Sequence, residues 1–152
     1  MSKVFVIGDL HLGHTKIAEV RGFGSTKEHD VYLMNNWNEV VRSKRDCVWV
    51  LGDVAFSRES LKLLTEANGY KKLVLGNHDR FPMNEYMKYF SKIFGAVRYN
   101  GDILTHIPVH EGQFERYKRN IHGHLHGNAL SDSRYVCVSA ERTGFKPIEL
   151  ER

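Results

Sequence analysis

Val4-Phe5-Val6-Ile7-Gly8-Asp9-Leu10-His11 is an unbroken apolar run that stops at a glycine and then presents a carboxylate and an imidazole two residues apart. A short run without polar alternation suits a strand buried on both faces of a sheet. Asp9 and His11 then sit at its carboxyl end. The pattern recurs: Cys47-Val48-Trp49-Val50-Leu51 ends in Gly52-Asp53, and Lys72-Leu73-Val74-Leu75 ends in Gly76-Asn77-His78-Asp79. Between these runs the residues favour helices. Ser25 with Glu28 three positions on has the spacing of a capping box, and Leu33, Met34, Trp37, Val40 and Val41 then recur on one face. Ser57 is placed to cap a helix reaching about Ala67, and Met83, Tyr86, Met87 and Phe90 mark another helical face. Leu61, Leu64 and the stripe from Met83 to Phe90 are expected in the core. Alternating strand and helix predicts an α/β fold whose site lies in loops beyond the carboxyl ends of the strands.

The second half is richer in short apolar runs. Ile93 to Val97, Asp102 to Thr105, Asn120 to Ile121 and Tyr135 to Val138 are separated by Gly, Asn and Asp turns and predict strands. Gln113 to Tyr117 is expected in a loop or short helix, and Phe145 to Leu150 is expected to pack its apolar residues on the body of the domain. With 152 residues and no linker or repeat, residues 1–152 are expected to form a single domain. The formal charge of +4 is compatible with an anionic substrate, but Lys and Arg are scattered rather than gathered in a stripe, so charge alone does not argue for nucleic acid. Cys47 and Cys137 lie within apolar strand runs as small buried hydrophobes, and two lone thiols suggest a reducing compartment. No run approaches transmembrane length, and a cytoplasmic location without membrane association is the simplest expectation.

Two further clusters, His106 and Gly123-His124-x-His126, complete a series of five. Asp9, His11, Asp53, Asn77, His106, His124 and His126 together offer carboxylate, amide and imidazole ligands for two divalent metals. Such a mixed oxygen and nitrogen shell suits Mn²⁺ first, with Fe²⁺, Zn²⁺ or Ni²⁺ as alternatives, better than Mg²⁺ or Ca²⁺. Two metals roughly 3.5 to 4 Å apart hold a hydroxide at neutral pH and offset phosphate charge, which is the equipment for in-line hydrolysis of a phosphate ester. The leaving oxygen then needs a proton, and His78 is the candidate acid.

These blocks resemble those of the calcineurin-like metallophosphoesterase superfamily: Asp-x-His, Gly-Asp, Gly-Asn-His-Asp, His and Gly-His-x-His, all in order from Asp9 to His126. The resemblance implies a two-sheet sandwich flanked by helices with the bimetal site at strand-end loops. It implies that Asp9, His11, Asp53 and His126 bind one metal, that Asp53, Asn77, His106 and His124 bind the other, and that Asp53 bridges. It also implies that His78 contacts substrate as an acid. Val54-Ala55-Phe56 stands where the serine/threonine phosphoprotein phosphatases continue Gly-Asp-x-x-Asp-Arg-Gly, and Phe56 offers no oxygen in place of the ligand tyrosine of purple acid phosphatases. In length and in its first and third blocks the chain is most similar to small, compact microbial and phage phosphoesterases. His78 leaves monoesters and diesters both open. The partner expected is a small phosphate ester, with a nucleotide among the options. The alternatives are a phosphoprotein phosphatase or a non-catalytic binding module on the same scaffold.

Outside the blocks, Arg80 and Arg21 are candidate phosphate contacts because guanidinium suits bidentate phosphate binding, although solvated arginine is the default for both. His14 follows the first block closely and either lines the pocket or sits on the next helical turn, and His110 is a weaker substrate candidate. His29 and His122 are expected to be structural. Arg116-Tyr117-Lys118-Arg119 offers cations and an aromatic that would suit nucleotides, although such a run is more often a solvated face.

Overall fold

A computed structural model describes residues 1–151. Val4–Ile7 forms β1, and Cys47–Val50, Tyr70–Val74 and Lys92–Phe94 form β2, β3 and β4. Each pairs in parallel with its predecessor, and β9 (Ile148–Leu150) closes the other edge antiparallel to β1, giving the order β4-β3-β2-β1-β9. The second sheet has the order β5-β6-β7-β8, built from Val97–Tyr99, Asp102–Leu104, Asn120–His122 and Tyr135–Cys137. In it β6, β7 and β8 run parallel, and β5 is antiparallel.

The apolar run of β1 is divided between two cores by strand alternation. Phe5 and Ile7 join Val48, Val50, Leu33, Trp37 and Leu61 on the helical side, whereas Val6 joins Trp49, Leu51, Val74, Leu104, Ile121 and Val138 between the sheets. The first sheet is thus covered on both faces, which explains why its strands carry no polar alternation. Cys47 is buried on β2, and Cys137 is half-buried on β8.

Helices α1 (Thr15–Val20) and α2 (Thr26–Val40) follow the first strand. The Ser25 hydroxyl accepts from the Glu28 amide at 3.0 Å, but the Glu28 carboxylate reaches the amide of Gly24 rather than that of Ser25, so the expected capping box is displaced by one residue. Trp37 is fully buried and its indole N–H donates to the Asn68 carbonyl at 2.9 Å, which ties α2 to the turn before β3. The helix expected from Ser57 shortens to α3 (Arg58–Leu61) and continues as a 3₁₀ segment, Lys62–Glu66. Leu61 and Leu64, both buried, are three residues apart, and that spacing stays on one face of a 3₁₀ turn.

Three expectations need correction. The helix α4 covers only Met83–Tyr86, and Met83 and Met87 are exposed while Tyr86 and Phe90 are buried, so the stripe belongs only partly to the core. The run Ile93 to Val97 is two strands in different sheets, divided at the exposed pair Gly95 and Ala96. The C-terminal segment does more than pack: Ile148 to Leu150 hydrogen-bonds along β1 as β9. Gln113 and its neighbours form a 3₁₀ turn, Glu111–Glu115. Among the described residues no helix is long and apolar enough to cross a membrane.

The sheets meet where β1 ends. The Gly8 amide donates to Val138 O at 2.8 Å and the Ala140 amide donates to Gly8 O at 2.9 Å, stitching the first sheet to the end of β8. The loops that follow β1, β2, β3, β6 and β7 thereby converge on one rim.

Candidate metal centre

The close approach of these loops is possible because glycine precedes the ligands. A Cβ on Gly52 would stand 2.6 Å from the Gly76 backbone and 2.7 Å from His106 Nδ1, and one on Gly76 would collide with Asp53 Oδ1. Asp79 then locks the two loops together, its carboxylate accepting from the amides of Asp53 (2.9 Å), Val54 (3.0 Å) and Gly76 (2.7 Å). Asp9, His11, Asp53, His124 and His126 all have positive φ, from 51° to 71°, where side chains other than glycine are strained. Only Asn100 and Phe145 join them among the described non-glycine residues, so the strain is concentrated on one set of loops.

The ligand atoms gather in two groups, Asp9 with His11 and His126, and Asp53 with His106 and His124, each lying within 4.8 Å of one another. Asp53 faces both groups. Its Oδ2 is 3.6 Å from His11 Nε2 and 3.3 Å from His106 Nε2, while its Oδ1 accepts from the His78 amide at 2.9 Å. Asn77 Oδ1 is 2.9 Å from His106 Nε2, and His124 Nδ1 is 3.3 Å from the same nitrogen. Burial opposes the charge of Asp53, but the His106 and His11 imidazoles and the His78 amide outweigh it and hold its carboxyl far below the usual carboxylate range.

Hydrogen bonds behind the ligands choose which atoms point inward. His106 Nδ1 donates to Leu51 O at 2.7 Å and His126 Nδ1 donates to Glu141 Oε2 at 2.8 Å, so each presents Nε2 with its lone pair. Asp9 Oδ2 accepts from Ser139 Oγ at 2.6 Å and from the His124 amide at 2.8 Å, which leaves Oδ1 facing the first group. Asp9 Oδ1 and both ring nitrogens of His11 are buried without a hydrogen-bond partner. Each such group costs about 1–3 kcal/mol unless something satisfies it. A carboxylate oxygen and imidazole nitrogens converging at this spacing fit a divalent cation of the Mn²⁺ to Zn²⁺ series.

The structure brings all seven expected ligands together. It places His78 at the same rim, exposed, with its ring 5.7 Å from Phe56 and 6.5 Å from His11. Phe56 stacks on the His11 ring at 5.0 Å. His14 does line this side, 5.3 Å from His11, while its Nδ1 accepts from the Ile17 amide and caps α1. Arg80 is exposed beside the third block and has no hydrogen-bond or ionic partner among the described residues.

Arg21 is different from expectation. Its guanidinium is buried and every donor is committed to protein: Asp9 O (2.6 Å), Leu10 O (3.0 Å), both Glu141 oxygens (3.1 and 3.0 Å) and His29 Nε2 (2.9 Å). It supports the site from behind. Because arginine can only donate, His29 accepts at Nε2 and donates from Nδ1 to Asp30 at 2.8 Å, and Asp30 in turn holds the Gly13 amide. His110, a weaker substrate candidate, is exposed and its Nδ1 accepts from the Gly112 amide to cap a 3₁₀ turn. His122, expected to be structural, is buried and donates to Gly123 O. Arg119 pairs with Asp102 at 2.7 Å and Arg98 lies over the Tyr117 ring, so the basic run has partners of its own.

Residues that sequence reasoning missed are those behind the ligands: Asp79, Ser139 and Glu141. Asp79 lies inside the third block, where the resemblance includes an Asp or Glu but the sequence gives it no role. Nothing near Ser139 or Glu141 in the sequence marks them.

A family model described as calcineurin-like phosphoesterase matches residues 2–148. The chain belongs to the calcineurin-like phosphoesterase family. It is 32% identical to an uncharacterised protein of Methanocaldococcus jannaschii over 99% of this chain and 89% of that one. It is 31% identical to the gene 66 protein of Mycobacterium phage L5 over 90% of this chain and 83% of the phage protein. Among solved structures, a protein of unknown function from Aquifex aeolicus superposes with a TM-score of 0.80 at 24% identity, covering 98% of this chain and 96% of that one, and supports the fold. The two sheets with flanking helices and the paired Asp/His groups are those of a calcineurin-like phosphoesterase, a family that binds two divalent metals.

Proposed function

We propose that this chain hydrolyses phosphate mono- or diesters, using two divalent metals held by Asp9, His11, Asp53 and His126 on one side and by Asp53, Asn77, His106 and His124 on the other. Mn²⁺ is the favoured metal, with Fe²⁺, Zn²⁺ or Ni²⁺ able to occupy the same donor set. The observation that carries this reading is the position of Asp53, whose Oδ2 lies 3.6 Å from one group's His11 Nε2 and 3.3 Å from the other's His106 Nε2. When bound, such a metal pair neutralises phosphate charge and lowers the pKa of water to about 7.

The chain's own residues do the rest. Glu141, Leu51 O and Ser139 fix the tautomers and orientation of His126, His106 and Asp9, so little reorganisation is needed when substrate arrives. His78, exposed and anchored through its backbone to Asp53, gives a ring proton to the ester oxygen as the bond from phosphorus to that oxygen breaks and the bond to the water oxygen forms. Exposed Arg80 is available to pair with phosphate oxygens. Phe56 keeps water from one face of His11.

The test is hydrolysis of matched p-nitrophenyl mono- and diesters by metal-stripped protein refilled separately with Mn²⁺, Zn²⁺, Ni²⁺ and Mg²⁺. Turnover restored by metal is the expected result. Protein that binds two metals per chain and hydrolyses neither ester would overturn the proposal and favour a binding role for the scaffold.

A further inference from the structure

The segment after the third block buries Tyr86 and Phe90 but leaves Met83 46% and Met87 51% exposed. Between these thioethers and β4 lies an open groove of about 520 Å³, lined by Leu75, Met83, Met87 and Phe94 and ending at Gly95, with Ser91 and Lys92 at its border. A second hollow of about 380 Å³ is walled by Asn77 and His106 of the metal centre and by Ile107, itself 50% exposed. Leu75 and Gly95 line both hollows, so the two adjoin between the second group of ligands and the methionines. His78 stands elsewhere: its ring contacts are with Phe56 and His11, beside the first group.

We propose that the adjoining hollows act together as one channel, the subsite for an organic arm of the substrate that remains on phosphorus, and that the arm is a nucleoside, which makes the substrate a nucleotide diester. This rests on the phosphoesterase reading above. Because His78 serves the departing alcohol on one side, a group lying along Leu75 and Gly95 on the other side is a second ester arm. A flat base fits the lining. Thioether sulfurs and the Phe94 ring give favourable contact with an aromatic surface, and the wide opening suits a planar group better than a flexible acyl chain, which would remain half in water. Lys92 offers a donor at the border for the carbonyl and ring-nitrogen acceptors that a base carries. The exposed methionines, costly as free surface, then acquire a purpose.

Gly95 provides a clean probe. A Cβ there meets no atom within 4 Å and its backbone is not among the positive-φ positions, so Gly95→Leu adds bulk at a residue that lines both hollows and leaves the fold unstrained. The substrates are thymidine 5′-(p-nitrophenyl phosphate) and methyl p-nitrophenyl phosphate, which share a leaving group and differ in the retained arm. Gly95→Leu is expected to lower kcat/KM at least about tenfold for the thymidine ester and to change the methyl ester less than about twofold, the scale on which pockets discriminate by added bulk. Equal effects on both esters would overturn the subsite. Binding is read separately by ¹³C-methyl labelling of the four methionines in zinc-loaded protein titrated with thymidine 5′-monophosphate. The Met83 and Met87 signals are expected to move while buried Met34 stays fixed, and inorganic phosphate is expected to move none of them. Fixed Met83 and Met87 signals would overturn the proposal even if both esters turn over. If neither ester is hydrolysed, the phosphoesterase reading falls, and the methionine titration still decides whether the channel holds a nucleoside.

Discussion

The two halves of the metal centre differ in how far the protein satisfies its own atoms. In the first group Asp9 Oδ1 and both His11 nitrogens are buried without hydrogen bonds, and the surrounding residues form a chain from Asp30 through His29, Arg21 and Glu141 to His126. In the second, His106 Nε2 lies within 2.9 Å of Asn77 Oδ1 and 3.3 Å of both Asp53 Oδ2 and His124 Nδ1, and Asn77 is exposed. The first group is an unsatisfied cradle, and the second satisfies more of its own atoms and opens to solvent at Asn77. Under the proposed bridge by Asp53 the two sites are unequally satisfied by the protein, and the first is expected to bind metal more tightly.

The strongest way to break this comparison is through the residue common to both halves. Asp53→Ala is expected to lose both metals and all detectable hydrolysis together, as measured by elemental analysis alongside ester turnover. Retention of full metal occupancy would show that Asp53 does not join the groups. His78→Ala, by contrast, should keep both metals and lose turnover by about 10² to 10⁴, the contribution of a general acid. Undiminished turnover of an ester with a poor leaving group would remove His78 from that role.

A subtler change sharpens the inequality itself. Glu141 is half-buried beside Arg21 and His126; burial works against its charge, but the hydrogen bond from His126 and the Arg21 guanidinium hold its carboxyl at about 2. Glu141→Gln removes that carboxylate from behind His126 and is expected to weaken the tighter metal about 10- to 100-fold while sparing the other, in a calorimetric metal titration at neutral pH. Equal weakening of both would mean that the halves are not separately supported.

The smallest effect is expected far from either group, at Asp46 just before β2. Burial disfavours its charge, yet the amides of Lys3 (2.9 Å) and Ser43 (3.1 Å) prevail and hold its carboxyl below the ordinary 3.8. A depressed carboxyl stabilises the fold above pH 3.8 and loses that contribution as pH falls through its folded value. Asp46→Asn should therefore be less stable than wild type by about 1 kcal/mol near neutral pH, with the gap closing in acid. A gap independent of pH in denaturant unfolding would assign the effect to shape rather than charge.

What was legible in the sequence follows the range of the interactions. β1, β2 and β3 were visible because burial on both faces forces continuous apolar runs, and the candidates Asp9, His11, Asp53 and Asn77 were visible because they closely follow such runs. The split of Ile93 to Val97 between two sheets was not, since periodicity records which face a residue takes and not which strand it pairs with. For the same reason β9 escaped: its partner β1 lies at the other end of the chain. Arg21 reads as a candidate phosphate contact or, by default, a solvated arginine, because nothing local reveals Glu141, 120 positions away, as the carboxylate that takes its guanidinium. Met83 and Met87 looked like core because a helical stripe does not tell how many of its turns are covered.

The most direct test of a shared, two-metal centre is electron paramagnetic resonance of metal-stripped protein titrated with Mn²⁺. The first equivalent should give the six-line signal of an isolated ion, and the second should replace it with the multiline spectrum of two exchange-coupled ions, as expected for a pair about 3.5–4 Å apart. Asp53→Ala should never show the coupled spectrum. Two equivalents bound with only isolated six-line signals would contradict the account, because the groups would then hold their metals without a common bridge.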